Sequence, residues 1–248
     1  MLTMRRSTTW RAKAAAAFVV ALAITAAGCD DDAKPGAATA KPRPPVPPPA
    51  GLIADLTVGK PHATLTAVRE AAGGGAFFIP RTVGGLAVDL FGLPLQAAEQ
   101  FDEQLPIVGA AAHEGLVVDY AVALHVRESS LFKTIVATGS EPSFDAEVDG
   151  DITWLKPRKT MRQPRLPATL ALIDNYLVAA DDEGGVRRLG LYLARTRGPQ
   201  AKPASEDASA QLNAGAFALP IERGLGDALA ELPAPLATFF DHEALSRR

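Results

Sequence analysis

Between Leu116 and Arg127 the chain alternates without interruption: Val118, Tyr120, Val122, Leu124 and Val126 are separated by Asp119, Ala121, Ala123 and His125. Side chains along a strand point to opposite faces with a period of two, so this pattern demands a sheet with one apolar face turned to a core. A strand of this kind needs neighbours. Pro106 to Ala112 supplies one, through a turn at His113, Glu114 and Gly115. Two further hairpins are expected, Phe144 to Val148 with Ile152 to Leu155 around Asp149 and Gly150, and Ala168 to Ile173 with Tyr176 to Ala180 around Asp174 and Asn175. Leu52 to Val58 reads as another strand.

Helical spacing fills the intervals. Pro61 to Ala72 has Leu65 and Val68 on one face and stops at Gly73, Gly74 and Gly75. Thr82 to Phe91 repeats apolar residues at Val83, Leu86, Ala87 and Leu90, with a short helix after Pro94, and Ser130 to Thr138 presents Leu131 and Ile135 before Gly139. Gly184 to Thr196 places Val186, Leu189 and Leu193 inward. Helices interspersed with antiparallel hairpins predict an α+β domain over residues 51–198, a mostly antiparallel sheet with helices on one face. The polar stretch 199–209 reads as a linker. Residues 210–248, with a strand from Leu212 to Leu219 and a helix from Glu222 to Leu232, either open a second similar module or pack onto the first. The stretch TLALIDNYLVAADDEGGVRRLGLYL and the later NAGAFALPI resemble, faintly, large exported bacterial proteins of unknown function with recurring strand, helix and hairpin units; the resemblance implies no catalytic residue.

The N-terminus has a different character. Arg5, Arg6, Arg11 and Lys13 precede the apolar run Ala14 to Ala27. At about fourteen residues the run is short of the roughly twenty that span a bilayer as a helix, which points to a cleaved export signal. It ends at Gly28 and Cys29, the single cysteine of the chain. The sequence Ala26, Ala27, Gly28, Cys29 resembles the lipobox of bacterial lipoproteins, although Ala26 stands where that motif usually has Leu. The resemblance implies cleavage after Gly28 and acylation of Cys29, while the departure at Ala26 leaves open ordinary signal-peptidase cleavage after Ala23, Ala27 or Gly28. Two or three acyl chains, at about 0.8 kcal/mol per buried methylene, anchor stably where one does not. Loss of residues 1–28 removes four basic residues and no acid, which turns the net charge of −3 into −7. An acidic mature chain is not expected to bind nucleic acid, which needs a clustered basic surface. Residues 29–50, with KPRPPVPPPA at their end, have too little apolar surface to offset ordering and read as a solvated tether.

Few residues suggest chemistry. Asp145, Glu147, Asp149 and Asp151 around Gly150 are spaced like an EF-hand calcium loop, but the twelfth position is Lys156 instead of glutamate and the flanks read as strands, so a hairpin turn is expected there. The acidic trio Asp181, Asp182 and Glu183 suits the start of a helix. His62, His113, His125 and His242 lack metal-site spacing, with His113 in a turn and His125 on the polar side of its strand. No nucleophile elbow or phosphate loop is present, and Gly73 to Gly75 follow a helix instead of opening one. No catalytic residue, metal ligand or cofactor is assigned.

One positive feature stands out on an acidic chain, the run Lys156, Arg158, Lys159, Arg162 and Arg165, which is the candidate patch for an anionic partner. The expectation is a lipoprotein of the cell envelope, lipid-anchored at a periplasmic or outer surface. Its domain binds or scaffolds, with the membrane, an anionic envelope component or another envelope protein as partner. The alternative is an envelope hydrolase or a carrier of lipid-like ligands with an apolar cleft.

Overall fold

The alternating segment is the strand Val117–His125 in the interior of an eight-stranded antiparallel sheet. The computed structural model describes residues 43–73, 79–114, 117–140, 142–159, 164–166, 168–201 and 208–212. In chain order the strands are β1 Leu52–Val58, β2 Ile107–Glu114, β3 Val117–His125, β4 Phe144–Asp149, β5 Ile152–Pro157, β6 Thr169–Ile173, β7 Tyr176–Ala180 and β8 Ala208–Leu212. Across the sheet their order is β4-β5-β6-β7-β3-β2-β1-β8. The helices are α1 Pro61–Ala72, α2 Val83–Phe91, α3 Ser129–Thr138 and α4 Glu183–Tyr192, with a 3₁₀ helix at Leu95–Gln100. α4 runs on through a wider π turn, Leu193–Arg197, into a last turn at Gly198–Gln200.

Local chemistry explains the element boundaries. Thr82 caps α2 by accepting from the Gly85 amide at 3.0 Å, and the Glu103 carboxylate accepts from the Val83 and Gly84 amides at 2.9 and 3.2 Å. Asp182 caps α4 by accepting from the Gly185 amide at 2.9 Å, the role expected of the acidic trio. Gly84 is where α2 meets the 3₁₀ helix, since a β-carbon there would stand 2.0 Å from the Ala98 carbonyl oxygen.

The class is α+β and the sheet antiparallel, as the sequence indicates, but the helices cover both faces instead of one. On the first face α2, the 3₁₀ helix and α3 lay Val83, Ala87, Val88, Phe91, Ala97, Phe132 and Val136 over Leu124, Leu155, Leu170, Leu172, Leu177 and Ala179. Phe101 and Phe132 meet edge to face there, with centroids 5.5 Å apart. On the second face α4 and its π turn bury Val186, Leu189, Tyr192, Leu193 and Ala194 against Ala121, Ala123, Ala171, Ile173, Val178 and Ala180. The alternation in β3 hides this second face because its residues are alanines. They are small enough to read as polar spacers, and small enough to let a helix approach closely. Each fully buried Leu or Phe contributes about 2 kcal/mol, so both faces count toward stability.

The same packing corrects the reading of β3. Asp119, placed on the polar side, is 4 % exposed, whereas Tyr120, placed on the core side, is 42 % exposed. α4 covers the alanine face along its length, while α2 and α3 reach only the far end of the other face. His125 is accordingly mostly buried instead of solvated, and His113 lies within β2 instead of in a turn.

Two boundaries shift as well. Residues 43–50, read as part of a solvated tether, are held by the body. The Val46 amide donates to Thr196 Oγ1 at 2.8 Å, and that hydroxyl donates back to the Val46 carbonyl at 2.6 Å. Arg43 reaches the carboxylates of Asp151 and Asp174. At the other end Ala208–Leu212 pairs with β1 as an edge strand of the same sheet. Residues 1–42 and 213–248, which carry the export signal, Gly28, Cys29 and the proposed helix from Glu222, lie outside the described residues, as do Gly74, Gly75 and His242.

Candidate functional site

The acidic residues of the β4–β5 hairpin act as counterions. Asp149 and Gly150 form the expected turn, with Gly150 at φ +60°. Along β4 and the turn each carboxylate meets a cation: Asp145 with Arg158 at 2.6 Å, Glu147 with Lys156, Asp149 with Arg187 at 2.8 Å, and Asp151 with Arg195 at 3.0 Å. Arg187 holds the Asp149 carboxyl below the usual carboxylate range, and Arg195 with Arg43 does the same for Asp151. The spacing that resembles a calcium loop is thus the period of one strand face met by arginines and a lysine.

These pairs bear on the basic patch. Lys156 and Arg158 are engaged by Glu147 and Asp145, and Glu147 lifts the Lys156 ammonium above its ordinary pKa. Arg165 is engaged by Asp89 at 3.0 Å. Arg162 lies outside the described residues. Lys159 is exposed and has no ion-pair partner among the described residues. The pairs of Lys156 and Arg158 are solvent-exposed and worth little to folding, so they hold geometry without removing the charge from an incoming anion's reach.

Arg158 and Lys159 line a solvent-open cleft of about 750 Å³ together with Gly92, Leu93, Pro94, Leu95, Gln96, Ser140, Pro142 and Ser143. The backbone fixes its walls, with the Arg158 amide donating to the Ser143 carbonyl at 2.9 Å and the Ser143 amide donating to the Val136 carbonyl at 3.0 Å. Leu95, 72 % exposed, stands at the mouth. The cleft offers cations and hydroxyls beside an apolar lip, which suits an anionic, partly apolar ligand. The described lining residues include neither histidine nor carboxylate.

A second concentration of charge, under α4, was not legible in the sequence. Asp55 on β1 is 5 % exposed and accepts from the Tyr192 hydroxyl at 3.1 and 3.3 Å, with Arg197 Nε 3.3 Å away. Arg195 sits between Asp151 and Asp174, the latter at 2.9 Å. Arg188 pairs with Glu114 and lies 3.1 Å from Asp119. Asp119, Asp181 and Asp182 bring carboxylate oxygens within 4.8 Å of one another. Burial first, and then the neighbouring carboxylates, push the Asp119 and Asp181 carboxyls up. Arg188 already supplies positive charge to that group, and together these contacts clasp α4 and its π turn to the sheet.

Among the described residues the histidines take no part in a shared constellation. His62 Nδ1 is 3.9 Å from Glu103, and His125 Nδ1 is 3.9 Å from Asp102 with its ring against Tyr176. Burial lowers the His125 pKa, with Asp102 opposing. Among the described residues no helix is long and apolar enough to cross a membrane. In comparisons with known proteins, no family model, no curated protein and no solved structure matches the chain.

Proposed function

We propose that the chain is a lipoprotein of the bacterial cell envelope, cleaved after Gly28 and acylated on Cys29, whose domain binds or scaffolds instead of catalysing. The observation that carries this reading is the order of features in the sequence: four basic residues, a short apolar run, small residues, and then the single cysteine. The seating of Val46 on Thr196 and of Arg43 on Asp151 and Asp174 supports a refinement. The span from anchor to domain is then at most residues 30–42, which reaches no more than about 45 Å fully extended. The domain would work close to the membrane that holds it.

Within this reading the cleft beside Arg158 and Lys159 is the contact for an anionic envelope component, a headgroup or an acidic wall polymer. Metabolic labelling with a palmitate analogue tests the anchor. The native chain takes the label and Cys29→Ala does not; label retained by the variant overturns attachment at that site. For the cleft, Lys159→Glu is the cleanest change because Lys159 has no described ion-pair partner whose loss would confuse the result. It weakens co-pelleting with anionic vesicles or wall fragments, and unchanged pelleting removes the cleft as the contact.

A further inference from the structure

The turn that carries Leu95 is fastened to the core on both sides. Leu93 is 2 % exposed and Ala97 0 %, the Ala97 amide donates to the Pro94 carbonyl at 2.9 Å, and the next carbonyl, of Ala98, lies against Gly84 of α2. Leu95 between them is 72 % exposed. Its backbone has little freedom left to lose on contact, so an encounter through this side chain costs little ordering. In the same cleft stand Lys159, exposed and without an ion-pair partner among the described residues, and Arg158, whose pair with Asp145 is open to solvent. The hydroxyls of Ser140 and Ser143 complete its polar side.

From the leucine held outward at the lip of a cationic cleft, we infer that this end of the domain docks on the anionic surface of a bilayer, with Leu95 entering the interface while Arg158 and Lys159 meet lipid phosphates. The inference rests on the proposed role of the cleft as an anionic contact and commits it to one partner. A lone exposed leucine is ordinary, but its company here matches the two layers of a membrane interface, charged headgroups outside and acyl chains beneath. A hydrated acidic polymer offers the cations the same charge and offers Leu95 nothing. The geometry also permits docking on the membrane that holds the anchor. The tether meets the body at Arg43, beside the β4–β5 turn, and the hairpin register from Asp149 opposite Ile152 to Phe144 opposite Pro157 puts the cleft end about 17 Å from that turn. Residues 30–42 reach up to about 45 Å, so the chain can lie down on its own bilayer.

A fluorescence measurement on the full chain, expressed with its signal and extracted from membranes, tests the inference. Leu95→Cys is labelled with a polarity-sensitive fluorophore and reconstituted into vesicles of phosphatidylcholine alone or of equal parts phosphatidylcholine and phosphatidylglycerol. The expected result is a blue shift, with loss of emission to a nitroxide-bearing lipid, in the anionic vesicles only. Lys159→Glu added to the labelled protein lowers the docked-to-free ratio at least roughly fivefold. A water-like spectrum in both vesicles, or an equal shift in both, overturns the inference. If wall fragments are then still held in a Lys159-dependent way, the cleft reading stands and its partner is a polymer; if they are not, that reading fails as well. Two fluorophores per chain show a free thiol at Cys29 and refute the anchor alone. The same vesicles are then added to the unanchored protein, where the anionic-only shift sustains docking and its absence overturns it.

Discussion

Asp55→Ala is the most informative single change for stability, because it removes the acceptor at the centre of the clasp between β1 and the π turn. In the native protein the Asp55 side chain is 6 % exposed and Arg197 23 %. Removing the carboxylate leaves the Tyr192 hydroxyl without its partner and Arg197 Nε in a pocket from which most water is excluded. Breaking a buried pair in this way costs about 3–5 kcal/mol, and the partial exposure of Arg197 favours the lower end, about 3 kcal/mol. For a domain of this size that lowers the melting temperature by about 6–12 °C. Tyr192→Phe keeps the ion pair and loses one hydrogen bond to a charged group, about 1.5 kcal/mol. Since both changes act on one contact, the double variant should fall short of their sum by about 1 kcal/mol. The assay is urea unfolding of the four proteins followed by circular dichroism. A loss below about 1 kcal/mol for Asp55→Ala, or strict additivity in the cycle, refutes the idea that this contact clamps the helix.

Other expectations follow from the packing and from the ionisable groups. Gly84→Ala gains helix propensity of about 1 kcal/mol yet should destabilise on balance by about 1–2 kcal/mol, because the new methyl meets the Ala98 backbone carbonyl, which cannot rotate away; a rise in melting temperature contradicts this. Burial pushes the Tyr176 and Tyr192 phenols up to about 12, so the stability they contribute is intact below pH 10 and lost as pH rises from 10 to 12. Tyrosinate absorbance should therefore stay low at pH 10 and rise together with unfolding, and ionisation of both near pH 10 in a folded chain would count against it. Thr196→Val removes both hydrogen bonds to Val46, whose amide lies between prolines, and should speed exchange of that amide by roughly tenfold.

Much of the fold was legible because the cues were local. The strand Leu52 to Val58, the helix Pro61 to Ala72, the Asp-Asn turn and the acidic cap at Asp182 each depend on a few neighbouring residues. What failed to show depended on distance in the chain. Ala121 and Ala123 look like spacers until α4, some sixty residues later, is laid on them. Asp55 sits in an ordinary strand pattern, and nothing near it announces Tyr192 or Arg197. The neutralisation of the basic run was partly readable, since a hairpin around Asp149 and Gly150 brings Asp145 opposite Lys156 and Glu147 diagonal to it. The cleft at Arg158 and Lys159 was not, because its other walls come from residues 92–96 and from Ser140, Pro142 and Ser143.

The claim on which the functional account rests is chemical and sits at Cys29. Intact-mass measurement of mature protein extracted from membranes tests it most directly. The account predicts a chain that begins at Cys29 and carries the added mass of a diacylglyceryl group. A free thiol at that position, or a mature N-terminus at any other residue, contradicts it.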